Sequence, residues 1–164
     1  MTRVDPDAVA VVLREAAETA IAPRFRALAD GEVEEKAPGE VVTVADREAE
    51  AIIAARLAAM LPGAPVVGEE AVSAAPSLLA AARHADAAWL VDPLDGTANF
   101  VNGDPHWAVM VALVRRGETV ASWLYRHTDG RLYAAERGAG AWCGTVRLTC
   151  AAGGVLGMLR GAVL

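Results

Sequence analysis

The sequence predicts an α+β fold on three observations. Amphipathic helical patterns occupy the first half of the chain, antiparallel-strand patterns follow one another in the second, and the short strands between them end on acids. Helices first and a strand meander later argue against an alternating βαβ domain. At 164 residues the chain is long enough for one ordinary domain with a sizeable core, and residues 1–164 are read as a single domain.

Asp5 before Pro6 is a helix start, because an N-cap acceptor precedes a ring whose φ already suits the first turn. Val9, Val12, Leu13, Ala16 and Ala20 then recur at three- and four-residue steps, and Pro23 should kink or end that helix. Residues 30–40 are polar, hold Gly31, Pro38 and Gly39, and read as a mobile loop. Val41-Val42-Thr43-Val44 is a β-branched strand running into a second helix, with Ala49, Ile52, Ile53, Leu57 and Met60 on one face and Pro62-Gly63 as its stop.

Pro65-Val66-Val67-Gly68 is a further short strand ending at Glu69-Glu70, and residues 76–85 are Ala-rich and read as a third helix. Trp89-Leu90-Val91 is a strand that closes on an acidic turn beginning at Asp92. From His106 onward, residues 107–114, 119–125 and 131–135 form a meander with turns at Arg115-Arg116-Gly117-Glu118 and Asp129-Gly130. Gly138, Gly140, Gly144, Gly153, Gly154 and Gly157 should then loosen the chain, and a new apolar segment begins at Arg160-Gly161-Ala162-Val163-Leu164.

Composition narrows the function classes. The chain is 54% hydrophobic but only 5% aromatic, with Ala supplying much of the total, so small-residue packing in a globular protein fits better than a membrane protein. No apolar run approaches the ~20 residues that span a bilayer. A net charge of −6 with scattered basic residues offers no footprint for nucleic acid. The N-terminus carries early acids and lacks a signal-peptide core, and the expected setting is the cytoplasm. Cys143 and Cys150 have neither metal-ligand nor disulfide-framework spacing and read as inert core thiols, while His84, His106 and His127 read as surface or packing residues.

The chemistry gathers on acids. Asp46, Glu69, Asp92 and Asp95 each lie at or just past the end of an expected strand, and carboxylates converging there call for a hard cation such as magnesium. Two such ions about 3.5–4 Å apart clamp an in-line phosphoryl displacement. In Asp92-Pro93-Leu94-Asp95-Gly96-Thr97, Pro93 stiffens the bend so that both carboxylates and the Leu94 carbonyl can face one side. Gly96 permits close backbone approach, and a helix starting at Thr97 would aim its amides at a phosphate. Taken singly, Thr43 to Asp46 is a capping box, Glu69-Glu70 a solvated pair and Lys36 a solvated loop charge.

Taken together, Thr43-Val44-Ala45-Asp46, Gly68-Glu69-Glu70 and Trp89-Leu90-Val91-Asp92-Pro93-Leu94-Asp95-Gly96-Thr97-Ala98-Asn99-Phe100 resemble the inositol monophosphatase family of lithium-sensitive phosphatases. Gly138-Ala139-Gly140-Ala141-Trp142 is similar to that family's Gly-rich stretch after the strands. The resemblance implies the N-terminal half of a layered α/β sugar-phosphatase fold, with helices packed on a largely antiparallel sheet. It implies magnesium-dependent hydrolysis of a small phosphomonoester, inositol monophosphate-like, by a metal-activated water.

Position by position, the resemblance gives Glu69, Asp92, the Leu94 carbonyl and Asp95 to metal. It gives Asp46 and Thr97 to activation of the water, and Asp95, Gly96 and Thr97 to the substrate. Lys36 is similar to a lysine ahead of the first acid. The implied partners are a small phosphorylated metabolite and a second copy of the chain as a homodimer. The family's downstream Trp-Asp signature, whose Asp completes the second metal site, does not occur in these residues. The chain therefore reads as an apparently truncated metal-binding phosphatase domain with weak turnover on its own.

Two other readings meet specific obstacles. A haloacid-dehalogenase-type enzyme attacks through an aspartyl phosphate from acids one residue apart, whereas Pro93 and Leu94 separate Asp92 from Asp95. A calcium loop counted from Asp92 reaches Gly103 rather than an acid at its twelfth position. A non-catalytic remnant that binds metal or a partner chain is the remaining alternative.

Overall fold

The computed structural model describes residues 4–150. Gly153, Gly154, Gly157 and the apolar segment at residues 160–164 lie outside the described residues. Helix α1, Pro6–Ala16, begins as expected: Asp5 caps it by accepting the Asp7 N–H at 3.0 Å, and Val9, Val12, Leu13 and Ala16 form its buried face. It runs on through a π turn, Ala17–Ile21, and closes in a 3-10 turn, Ala22–Arg24. Pro23 lies in that last turn, where its missing N–H ends the ladder.

The expected loop at residues 30–40 is instead half of a hairpin. Strand β1, Val33–Ala37, pairs antiparallel with β2, Glu40–Thr43, through a turn that puts Gly39 at φ 83°. Four of the five β1 residues are exposed, so neither face carries an apolar alternation for a reader of the sequence to find.

Helix α2, Val44–Met60, starts on the Thr43 cap and ends before Gly63, which takes φ 87°. Its buried face is Ala45, Asp46, Ala49, Glu50, Ile53 and Leu57, so two carboxylates point inward among apolar neighbours. Strand β3, Val66–Gly68, runs parallel to β4, Ala87–Asp95, and the crossover between them holds α3, Glu69–Ala74, and α4, Leu78–His84. The turn expected at Asp92 is delayed. Strand β4 continues to Asp95 with a register shift between Asp92 and Asp95, and the chain bends only at Gly96, ahead of α5, Thr97–Val101.

The meander follows as expected: β5, Ala108–Arg115, a turn with Arg116 at φ 51° and Gly117 at φ 78°, β6, Glu118–Arg126, a 3-10 turn at His127–Asp129, and β7, Arg131–Glu136. Two positive φ angles in succession match the twist of a tight hairpin. The glycines beyond it do not loosen the chain. Gly138 and Gly144 serve turns, and β8, Gly140–Cys143, and β9, Val146–Leu148, complete a seven-stranded sheet in the order β3-β4-β5-β6-β7-β8-β9. Among the described residues only the β3–β4 pair is parallel.

Helices α1 and α2 pack together on one side of this sheet. The core joins Leu13, Ile21, Ile53 and Leu57 to Trp89, Trp107, Trp123 and Phe100. Ala16, Ala17, Ala45 and Ala49 are fully buried at the helix contacts, so the small-residue packing read from composition is real. Phe25, Phe100 and Trp107 meet at centroid distances of 5.6–5.9 Å and anchor α5 from below. The cysteines are not core residues, since Cys143 is half-buried and Cys150 exposed, both as free thiols. His106 is exposed, whereas His127 stacks on Trp107. Among the described residues no helix is long and apolar enough to cross a membrane.

Candidate active site

Three chain segments meet at one end of β4: the start of α2, the β3–α3 junction, and the bulge that leads through Gly96 into α5. The first delivers Asp46. Its Oδ2 accepts the Thr43 N–H at 2.8 Å and the Thr43 hydroxyl at 2.5 Å, while the Thr43 oxygen accepts the Ala45 N–H at 3.1 Å. The capping box read from the sequence is thus present. It also has a second use, because Asp46 Oδ1 stays open to accept the Thr97 hydroxyl at 3.0 Å. Burial pushes the Asp46 carboxyl above its usual range, and the hydrogen bonds from Thr43 and Thr97 oppose that shift without cancelling it.

Thr97 is placed by the left-handed Gly96, at φ 83° and ψ 36°, which caps α5 and takes the Phe100 N–H on its carbonyl at 3.0 Å. A Cβ at position 96 would stand 2.8 Å from the His106 carbonyl oxygen, so glycine is needed there for conformation and for room. The Thr97 hydroxyl also lies 2.9 Å from the Leu94 carbonyl oxygen. Asp46, Leu94 and Thr97 therefore meet at the Thr97 hydroxyl, directly after Gly96.

The second acid group surrounds Asp92. Its carboxyl is pushed up to about 7, first by burial and then by the neighbouring Glu69 and Asp95 carboxylates. Its Oδ1 is buried and has no hydrogen-bond partner. A buried orphan oxygen within a field of like charges fits a hard cation in donor type and in sign. Among the described residues no three acids, histidines or cysteines stand preassembled as a cage. Glu69 is partly diverted, with Lys36 Nζ 3.6 Å from its carboxylate.

Lys36 and the Glu69-Glu70 pair differ from their single-residue readings. Lys36 lies on β1 with its side chain only 19% exposed, and its Nζ meets the Glu70 carboxylate at 2.5 Å. Burial alone would lower its pKa, but Glu70 and Glu69 overcome that and hold it raised. Glu70 is 12% exposed while Glu69 is 52% exposed, so the two acids are no solvated pair: they open α3 with one carboxylate tied inward and one facing out.

Glu50 was not singled out from the sequence. Its buried carboxylate accepts the Glu70 and Ala71 N–H groups at 2.8 and 2.9 Å. The available signal was its spacing, four residues after Asp46 on the same helical face. A cavity of about 580 Å³ is lined by Gly68, Glu69 and Asp92 together with chiefly apolar residues, including Leu90, Met110, Leu124 and Trp142. Its chiefly apolar lining offers little to a phosphate.

Helices layered on a mostly antiparallel sheet, with Asp92 and Asp95 at the end of β4 and Asp46 and Glu69 on the segments beside it, define a layered α+β protein. The model of the inositol monophosphatase family matches residues 5–158, and the chain belongs to that family. It is 42% identical over 115 residues to the inositol-1-monophosphatase of Rhizobium meliloti, a match covering 69% of this chain and 40% of the relative. It is 37% identical over 114 residues to the Nus factor SuhB of Vibrio cholerae, covering 70% of this chain and 40% of that one. Among solved structures, the extragenic suppressor protein suhB of Bartonella henselae superposes with a TM-score of 0.75 at 30% identity, over 86% of this chain and 52% of that one. The chain thus spans about 40% of the length of these curated relatives.

Proposed function

We propose that the chain carries the metal-binding and water-activating part of a magnesium-dependent phosphomonoesterase that acts on a small, inositol monophosphate-like metabolite. The observation that supports this most directly is Asp92, a half-buried carboxyl with one buried, unpartnered oxygen beside two further acids. Glu69, Asp92, Asp95 and the Leu94 carbonyl would hold Mg²⁺. When bound, the ion supplies charge neutralisation for the phosphoryl group and activation of water.

The chain's own residues supply the proton path. Thr97 has one hydroxyl proton and two acceptors within reach, Asp46 Oδ1 and the Leu94 carbonyl oxygen. While Asp46 is ionised, Thr97 donates to it and offers a lone pair to a proton of the attacking water. Once Asp46 Oδ1 has gained a proton it donates to Thr97 Oγ1, and the Thr97 proton turns to Leu94. Thr43 holds Asp46 Oδ2 with two donors throughout, so the carboxylate keeps its aim. The Gly96 and Thr97 amides at the start of α5, beside Asp95, would seat the phosphate. No nucleophilic side chain is required. The cytoplasmic setting and the homodimer belong to this same reading.

Calorimetric titration of Mg²⁺ and inorganic phosphate, separately and together, tests it. Mg²⁺ should bind the wild-type chain and not Asp92→Asn, and phosphate should bind only with Mg²⁺ present. Phosphate binding that is indifferent to Mg²⁺, or no Mg²⁺ binding at all, overturns the proposal.

A further inference from the structure

Helix α2 reaches the site twice from one face. Asp46 in its first turn meets Thr97, and Glu50, one turn on, meets the start of α3. Glu50 is 8% exposed, and its two oxygens divide the work: Oε2 accepts the Glu70 N–H at 2.8 Å and Oε1 the Ala71 N–H at 2.9 Å. Both amides belong to the first turn of α3, whose opening N–H groups have no partners within the helix. A buried carboxylate held by two amides is a directional anchor. It fixes the backbone immediately after Glu69.

Gly68 completes the arrangement. Its φ of −91° is open to any residue, so conformation does not call for glycine here. Space does. A Cβ on residue 68 would lie 2.1 Å from Glu50 Cδ and 2.3–2.4 Å from its two oxygens. The carboxylate fills the volume that a side chain at 68 would take, pressed against the backbone that leads into Glu69. Removing Glu50 leaves a hole and two orphaned amides at one blow; adding a methyl at 68 pushes the carboxylate off both.

We propose that Glu50 is a positioning residue for Glu69: together with the Gly68 gap, it locks the start of α3 to α2. The Glu69 carboxylate is thereby held at a fixed distance from the Asp46–Thr97 pair. This inference rests on the phosphatase reading above, in which Glu69 is a metal ligand. Glu50 itself touches neither metal nor substrate. Its carboxylate is spent on backbone, and its effect on the ion passes through Glu69.

The test compares wild type, Glu50→Gln and Gly68→Ala by calorimetric Mg²⁺ binding, and by hydrogen exchange of the Glu70 and Ala71 amides without metal. Glu50→Gln keeps the volume but replaces one acceptor with a donor, so one of the two amides must lose its bond. Both variants should weaken Mg²⁺ binding by about tenfold or more, the range usual for groups that orient a ligand. They should also speed exchange at Glu70 and Ala71 while circular dichroism stays that of the folded chain. Glu18→Gln, which removes the same charge from an exposed site, should change neither. Gly68→Ala can fail to fold, and Glu50→Gln then decides alone. A Glu50→Gln protein that melts earlier yet binds Mg²⁺ as wild type does overturns the positioning role. A wild type that binds no Mg²⁺ overturns the phosphatase reading and the assignment together.

Discussion

The Thr97 hydroxyl lies 3.0 Å from Asp46 Oδ1, joining two residues 51 positions apart, while the other oxygen of the same carboxylate caps α2 through Thr43. One side chain thus serves helix stability with one oxygen and the proposed proton path with the other. Substitution can separate the two. Asp46→Asn retains an acceptor for the cap but cannot take a proton, so phosphate release should fall by about 10²-fold or more while the melting temperature moves little. Asp46→Ala should lose the same activity and also about 1 kcal/mol of stability from the cap. Steady-state phosphate release and urea unfolding of both variants check this; equal rates for Asp46→Asn and wild type would refute the proton path.

Much of this arrangement was legible beforehand, and each exception has its own physical cause. Asp5-Pro6 marked α1, Thr43 to Asp46 marked the start of α2, and the run from Trp89 to Phe100 placed an acidic strand end ahead of a short helix, because caps, periodicity and turn residues act locally. Strand β1 was hidden because four of its five residues are exposed and it carries no apolar alternation. Strands β8 and β9 were hidden because Gly138 and Gly144 read as slack, whereas only their left-handed conformations show that they make tight turns. Glu50 was hidden for a different reason: a glutamate within a helix reads as solvent-facing until the chain brings the α3 amides to it from 20 positions away.

The field around Asp92 sets a pH dependence whose sign follows from linkage. Its folded pKa, about 7, stands above the usual 3.8, so between those values the folded chain keeps a proton that the unfolded chain has lost. In metal-free protein this contribution to stability is fully present below about pH 4 and declines as pH rises through 7. Mg²⁺ requires the ionised carboxylate, so its binding should strengthen over the same rise and level off above 7, with a proton released on binding below it. Thermal melts from pH 5 to 8.5, with and without Mg²⁺, should show the metal-free curve falling and the metal-induced gain growing. Asp92→Asn should flatten both trends, and a metal-free stability that climbs between pH 5 and 7 in wild type but not in Asp92→Asn would contradict the assignment.

Gly96 and Gly117 have nearly the same positive φ, 83° and 78°, yet different surroundings. A Cβ on Gly117 would meet nothing within 4 Å, whereas one on Gly96 would meet the His106 carbonyl oxygen at 2.8 Å. Gly117→Ala therefore reports conformational strain alone, which costs about 1–3 kcal/mol for a residue held in the left-handed region. Gly96→Ala carries the same strain plus a collision with backbone that cannot rotate away. The pair of variants measures the collision by difference in denaturant unfolding, and Gly96→Ala should be the less stable. The relief open to it is a shift of α5, which carries Thr97 away from Asp46. Phosphate release should accordingly fall in Gly96→Ala by more than its unfolded fraction explains, while Gly117→Ala, in a hairpin turn away from the acids, should lose only what its stability dictates. Equal losses in the two variants would mean that the close approach of Gly96 to His106 does not set the position of Thr97.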